Sequence, residues 1–231
     1  MKLYSLLSGI LVFTSSAVAG PCAIGTLQDY VTLGAGGCQQ GVVTFSGFSG
    51  ATGQNGAIPI SLLQVAVTPG GTQFMPTLQF TLNKTAAPNQ LFESFFHFKA
   101  SNSLFVGEKI TLNSPTVTGD GADTATLDIC PGAAFTGIST GCAADVNLIA
   151  LSITGFAMLS DSASFTPKSF FDIFVDLTVD GGTGGGSAVF SSATVTTSAT
   201  PEPGATQLVI AGLVAITLLG FRRNHLMIGR K

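Results

Sequence analysis

The sequence predicts an all-β body: an antiparallel β-sandwich or jelly-roll-like single domain between two targeting ends. Three observations predict it. Residues 170–180 (FFDIFVDLTVD) alternate with a period of two, placing Phe171, Ile173, Val175, Leu177 and Val179 on one face. Asp172, Asp176, Thr178 and Asp180 share the other face, with Phe174 among them. Such alternation marks a half-buried strand. Strand-like segments recur every 10 to 20 residues between Gly, Pro and Asn turns, the spacing of sandwiches rather than of βαβ units. Helical spacing is confined to residues 25–34 (GTLQDYVTLG), where Leu27, Tyr30 and Val31 share a face and Gly34 to Gly37 make a flexible stop.

The elements follow in chain order. Met1-Lys2 is a minimal positive start, Leu3 to Phe13 an apolar core, and Ala17-Val18-Ala19 a small-residue site. Together they predict a signal peptide over residues 1–19, cut after Ala19; an uncleaved anchor helix is the alternative. After the helical piece come strand compositions at 60–68 and 78–82, separated by Pro69-Gly70-Gly71. Residues 91–100 alternate more loosely, with Phe92, Ser94, Phe96 and Phe98 opposed to Glu93, Phe95, His97 and Lys99. Residues 106–112 and 148–159 add strands. Gly181 to Gly186 predicts a turn, after which 188–197 returns as the hairpin partner of 170–180. The body therefore spans 20–198. The chain's 18 phenylalanines, against no Trp and two Tyr, read as core, because buried Phe brings large apolar area with no polar atom to satisfy.

Residues 199–231 have another character. Pro201-Glu202-Pro203 cannot continue a regular element, since each Pro lacks an N–H and fixes φ. Ala205 to Phe221 is a mostly apolar run, long enough to enter a bilayer, and Arg222-Arg223 stops it at a cytoplasmic face. A transmembrane helix over about 205–221 is the expectation.

This tail resembles the PEP-CTERM sorting signal of exported bacterial proteins, in which Pro-Glu-Pro precedes one hydrophobic helix and a short basic end. The matching residues are Pro201, Glu202, Pro203, the run 208–221, and Arg222 and Arg223. Asn224-His225 before Arg230-Lys231 makes the basic end longer than is usual there. The resemblance implies recognition by exosortase, a membrane protease-transpeptidase, with the inner membrane as the site of processing. It implies a membrane-anchored precursor that ends at the cell surface or outside the cell, in systems linked to exopolysaccharide and biofilm. A plain membrane anchor is the alternative. Residues 22–48 also look like an N-terminal pattern of PEP-CTERM proteins: Cys22 and Cys38 bracket a short segment, and Thr44-Phe45-Ser46-Gly47-Phe48 follows. A stapled lid on one end of the body is the physical sense of that pattern, with Phe45 and Phe48 starting the core.

Charge narrows the partners. Of the nine basic residues, Lys2, Arg222, Arg223, Arg230 and Lys231 lie in the ends. The body keeps four lysines and no arginine against 11 carboxylates, a formal net charge of −7. Such a body lacks the clustered cations that nucleic acid or anionic lipid requires. An exported chain meets an oxidising compartment, so its four cysteines predict two disulfides. Three pairings exist; the short, Gly-containing loops favour Cys22–Cys38 and Cys130–Cys142. No C-x-x-C or Cys/His spacing suggests zinc.

Catalytic patterns are absent. A hydrolase triad needs an imidazole, and His97 is the only one in the body, in a Phe-rich strand with no G-x-S-x-G elbow. Paired carboxylates for a glycosidase have no recognisable setting. Calcium is the cofactor the oxygen donors would suit best: Asp120 and Asp123, with Asp128 nearby, form an acidic loop, though without the EF-hand pattern. Asp172 and Asp176 would lie about 13 Å apart along a strand, too far for one ion. The sequence thus reads as an exported, non-catalytic surface or matrix protein with no required cofactor. The alternative is an extracellular glycan- or calcium-binding β-sandwich module; a secreted hydrolase comes third.

Overall fold

The computed structural model describes residues 19–52, 56–137, 142 and 144–200. The expected signal peptide, apart from Ala19, and all of the sorting motif and expected transmembrane helix lie outside these residues. Among the described residues no helix is long and apolar enough to cross a membrane.

The chain runs through β1 (Gly20–Pro21), β2 (Gly25–Thr26), α1 (Leu27–Thr32), β3 (Cys38–Gln40), β4 (Val43–Thr52) and β5 (Ile58–Pro59). A 3₁₀ turn (Leu62–Gln64) precedes β6 (Ala66–Gly71), β7 (Pro76–Ala86), β8 (Leu91–Asn113) and β9 (Thr116–Thr118). Then come β10 (Ala122–Pro131), β11 (Val146–Ile153), β12 (Phe156–Met158), β13 (Ser160–Asp180) and β14 (Ser187–Thr200). The ladders are antiparallel except β1 on β3 and β5 on β8. The all-β, antiparallel class is as the alternation required. The one α-helix among the described residues sits where it was expected, started by a capping box in which the Thr26 hydroxyl and the Asp29 carboxylate each accept the other's backbone N–H.

One strand organises everything else. The first part of β8, through Ser101, lies between β13 and β4. From Leu104 onward it lies between β13 and β14. The exchange of neighbours happens at Asn102, which takes φ 70, and β13 carries a register shift opposite. A bulge of this kind bends a strand without ending it. The region of β4, the first half of β8, the second half of β13, β10 and β11 is thereby folded face to face with β14–β7–β6, whose sheet the other halves of β8 and β13 continue. Phe80 of β7 lies 4.6 Å from Phe96 of β8 by ring centroid, although those two strands share no ladder. Between these layers sit Phe45, Phe96, Phe98, Phe105, Phe171 and Phe190, all at most 1% exposed. Each such ring contributes roughly 1.5–3 kcal/mol of burial, so these phenylalanines are core, whereas Phe95 and Phe174 lie outside the core cluster and Phe156 is exposed.

Four local expectations are corrected. Residues 91–100 and 106–112 are one 23-residue strand rather than two, because Asn102 bends the chain where a turn was not needed. Residues 60–68 do not form one strand: Ser61 caps the 3₁₀ turn, and β6 begins at Ala66 and includes Pro69-Gly70-Gly71. Residues 148–159 fold as a hairpin, turning at Gly155 (φ 80). The predicted hairpin of 170–180 with 188–197 does not form. β13 pairs with β10 and β8, and β14 with β7, β8 and β9. The turn after Asp180 is real, but it carries the chain from one layer to the other.

The cysteines join as the short loops favoured, Cys22 with Cys38 and Cys130 with Cys142, at Cα separations of 4.8 and 5.9 Å. The first ties the segment after β1 to the start of β3 and closes the loop that contains α1, and Tyr30 packs edge-on to Phe48 at 5.1 Å.

Candidate functional site

Strand parity sends every second residue of β8 and β13 away from the core, and register decides which of them meet. Phe174 lies opposite His97, and Phe95 opposite Asp176. Asp172 lies opposite Lys99, but the Lys99 ammonium sits over the Phe170 ring, 4.0 Å from its centroid. Asp172 turns diagonally instead, and its Oδ1 lies 2.7 Å from His97 Nε2. Its Oδ2 accepts the backbone N–H of Phe135 at 2.9 Å. Phe135 lies in the loop that Cys130–Cys142 closes, and its ring stands edge-on to His97 at 6.1 Å.

These contacts bring the start of that loop back over the outer face. With Ser49 and Gly50 of β4, they form a shallow cleft of about 270 Å³ lined by Phe95, Phe96, His97, Phe135, Gly137 and Phe174. Phe95 and Phe174, 5.8 Å apart, are buried although they point away from the core. His97 keeps 30% of its side chain exposed. The cleft is apolar at its base, with one fixed hydrogen-bonding edge.

Beside it the face becomes acidic. Burial pushes the Asp176 carboxyl up to about 6; nearby Glu93 and Asp128 add to this, and a hydrogen bond from Thr178 opposes it. Asp128 is held by the Asn147 side-chain amide.

The other acids named as calcium candidates are not brought together with Asp128. Asp120 accepts the backbone N–H groups of Thr183, Gly184 and Gly186, and these hydrogen bonds, that of Gly184 first, hold its carboxyl below the usual range. It braces the glycine turn. Asp123 faces the core, fully buried, while Asp128, five residues on, has the opposite parity. Burial pushes Asp123 up to about 7, against a backbone hydrogen bond with Thr116. No group of three or more candidate metal ligands exists among the described residues.

Ser49 lies opposite His97 across the β4–β8 ladder, so serine, imidazole and carboxylate follow one another across the cleft. His97 Nε2 is engaged by Asp172, and no hydrogen bond joins Ser49 to His97. The sequence concealed this site because His97 and Asp172 meet only through register. One signal was legible: Phe95 and Phe174 interrupt otherwise polar faces, and an aromatic ring at such a position implies a cover.

No protein family matches the chain, and no curated protein does. Among solved structures, the chain is similar to TmCBM61 in complex with β-1,4-galactotriose, with 9% identity and a TM-score of 0.27 over 65% of this chain and 86% of that one. It is also similar to a structure of carbohydrate-binding modules of the β-sandwich superfamily, with 11% identity and a TM-score of 0.26 over 80% of this chain and 62% of that one. Likeness at this level sets neither topology nor ligand.

Proposed function

We propose that this is an exported, non-catalytic cell-surface protein whose β-sandwich body binds a sugar unit of extracellular polysaccharide in the cleft at His97. The observation that carries the reading is the outer-face cleft itself. Phe95, Phe174 and Phe135 offer aromatic surface, and the Asp172-braced imidazole offers one oriented polar contact. A sugar ring has the matching character, with apolar C–H faces and hydroxyl edges. Small-ligand sites of this type combine an apolar lining with few placed polar groups.

The neighbours of known structure bind carbohydrate by their own descriptions; the reading here rests on the cleft. The disulfides fit an oxidising compartment. The ends of the chain add the route: export by the signal peptide, then exosortase acting at Pro201-Glu202-Pro203.

The test is titration calorimetry of the full chain in mild detergent, against neutral oligosaccharides and the producer's own polysaccharide. Phe135→Ala is expected to weaken binding at least tenfold while leaving the unfolding midpoint nearly unchanged, since Phe135 lies outside the core. Unaltered affinity in that variant, or no saccharide bound by the parent protein, would overturn the reading.

A further inference from the structure

A second cleft lies where β8 changes neighbours. After Ser101 the strand leaves β4, and it joins β14 only at Leu104. Asn102 and Ser103 have no register partner in β4, β13 or β14. The seam opens to about 400 Å³, lined by Gln39, Val42, Gln73, Phe74, Asn102, Ser103 and Thr200, within the range of small-ligand sites.

Its walls are fixed by backbone. Val42 N–H donates to Gln73 O at 3.0 Å, and Ala199 N–H donates to Phe74 O at 2.9 Å. These bonds tie the β3–β4 turn and the end of β14 to the 72–75 turn. The Gln73 and Asn102 side-chain amides are exposed and make no hydrogen bond among the described residues. Each therefore retains two donors and an acceptor. No charged side chain lines the seam. The Phe74 ring is half-buried beside these amides.

We propose that this seam is a second binding site, for a neutral saccharide segment. Amides and hydroxyls set round one aromatic ring match hydroxyl donors and acceptors. The lack of any cation in the seam, on a body of net charge −7, selects against uronates and phosphates. Rigid walls reduce the ordering cost of binding. Along β8 six residues lead from His97 to Ser103, at most about 20 Å of strand. One molecule then holds two polymer segments, and avidity for a polymer exceeds that for either segment. The bridging rests on the outer-cleft reading; the seam site itself does not.

The experiment is calorimetry of the full chain with neutral gluco-, galacto- and manno-configured tetrasaccharides, and a uronate tetrasaccharide as the anionic control. The variants are Asn102→Asp with Gln73→Glu for the seam, and Phe135→Ala for the outer cleft. Asp tolerates the positive φ at position 102 much as Asn does, so the fold is kept while donors are lost and charge is added. Two neutral sites are expected in the parent protein, and the double variant is expected to lose one of them at least tenfold in affinity. Phe135→Ala should retain the seam site. A double variant that binds as the parent does overturns the proposal, as does preferential binding of the uronate or the absence of any neutral binding. If the double variant alone abolishes binding and Phe135→Ala changes nothing, the seam stands and the outer-cleft reading falls.

Discussion

Asp172 shows what decides a side chain's role at the residue scale. Its in-register neighbour is Lys99, yet its partner is His97. The ammonium gains a ring face at Phe170, a cation–π contact of roughly 0.5–1 kcal/mol at an exposed site. The carboxylate, nearly buried, takes the imidazole and one loop N–H, which satisfy its two oxygens at once. Asp123 and Asp176 have a different consequence. Both carboxyls are raised by burial, to about 7 and about 6. A raised acid binds its proton more tightly in the folded chain than in the unfolded one. Between the unfolded value near 3.8 and the folded value, the folded state therefore carries more protons, and stability falls as pH rises. Below about pH 4 their contribution is fully present; above about 7 it is gone. Unfolding by urea at pH 4.5, 5.5, 6.5 and 7.5 is expected to show a decline of up to about 1.4 kcal/mol per pH unit per group. Asp123→Asn is expected to flatten that decline. A slope of the opposite sign in the parent, or one unchanged by Asp123→Asn, would sink the assignment.

Among the elements, β8 and the two disulfides carry most of the architecture. The Cys130–Cys142 bridge closes a loop with a sequence separation of 12, for which the chain-entropy picture gives about 3 kcal/mol. That loop also carries Phe135, so the bridge serves the outer cleft as well as the fold. Cys130→Ser with Cys142→Ser is expected to lower unfolding free energy by about 3 kcal/mol in denaturant titration. It should also weaken saccharide binding at temperatures where the body is still folded. Loss of stability with unchanged binding would separate the loop from the site. Asp120 plays the corresponding part for the 181–186 turn, where three backbone N–H groups converge on one carboxylate. A glycine-rich segment that could wander is thereby held to one path between layers. The sequence marked Asp120 as chemically notable for its oxygens; its neighbours in space are amides, so it serves as an acceptor within the protein.

For the whole molecule, charge and targeting go together. Charged residues make up 9% of the chain, far below the roughly 25% of ordinary soluble proteins, so the exterior of the body depends on hydroxyls, amides and backbone. A surface of that kind suits a polymer rich in hydroxyls better than it suits a polyelectrolyte. The proposed route predicts a specific mass. Protein recovered from its native host is expected to lack residues 1–19 and the segment following Pro201-Glu202-Pro203, and to be lighter by two hydrogens for each of the two disulfides. Intact-mass spectrometry reads all of this in one spectrum. A full-length chain with Met1 and Lys231 present and four free thiols would refute the export route.

The order of residues by itself determined the class of fold, the half-buried strand at 170–180, the short helix within 25–34 and the favoured cysteine pairs. These rest on local physics: side chains alternate at every second residue, Thr and Asp satisfy orphan N–H groups a few residues away, and short loops close easily. Tertiary structure alone decided that residues 170–180 and β14 lie in separate layers, that two expected strands are one, and that His97, Asp172 and Phe135 share a cleft. Those facts depend on register between strands distant in sequence and on a single bend at Asn102. A one-residue slip would exchange every inward side chain for an outward one, and nothing local to any one strand specifies that choice.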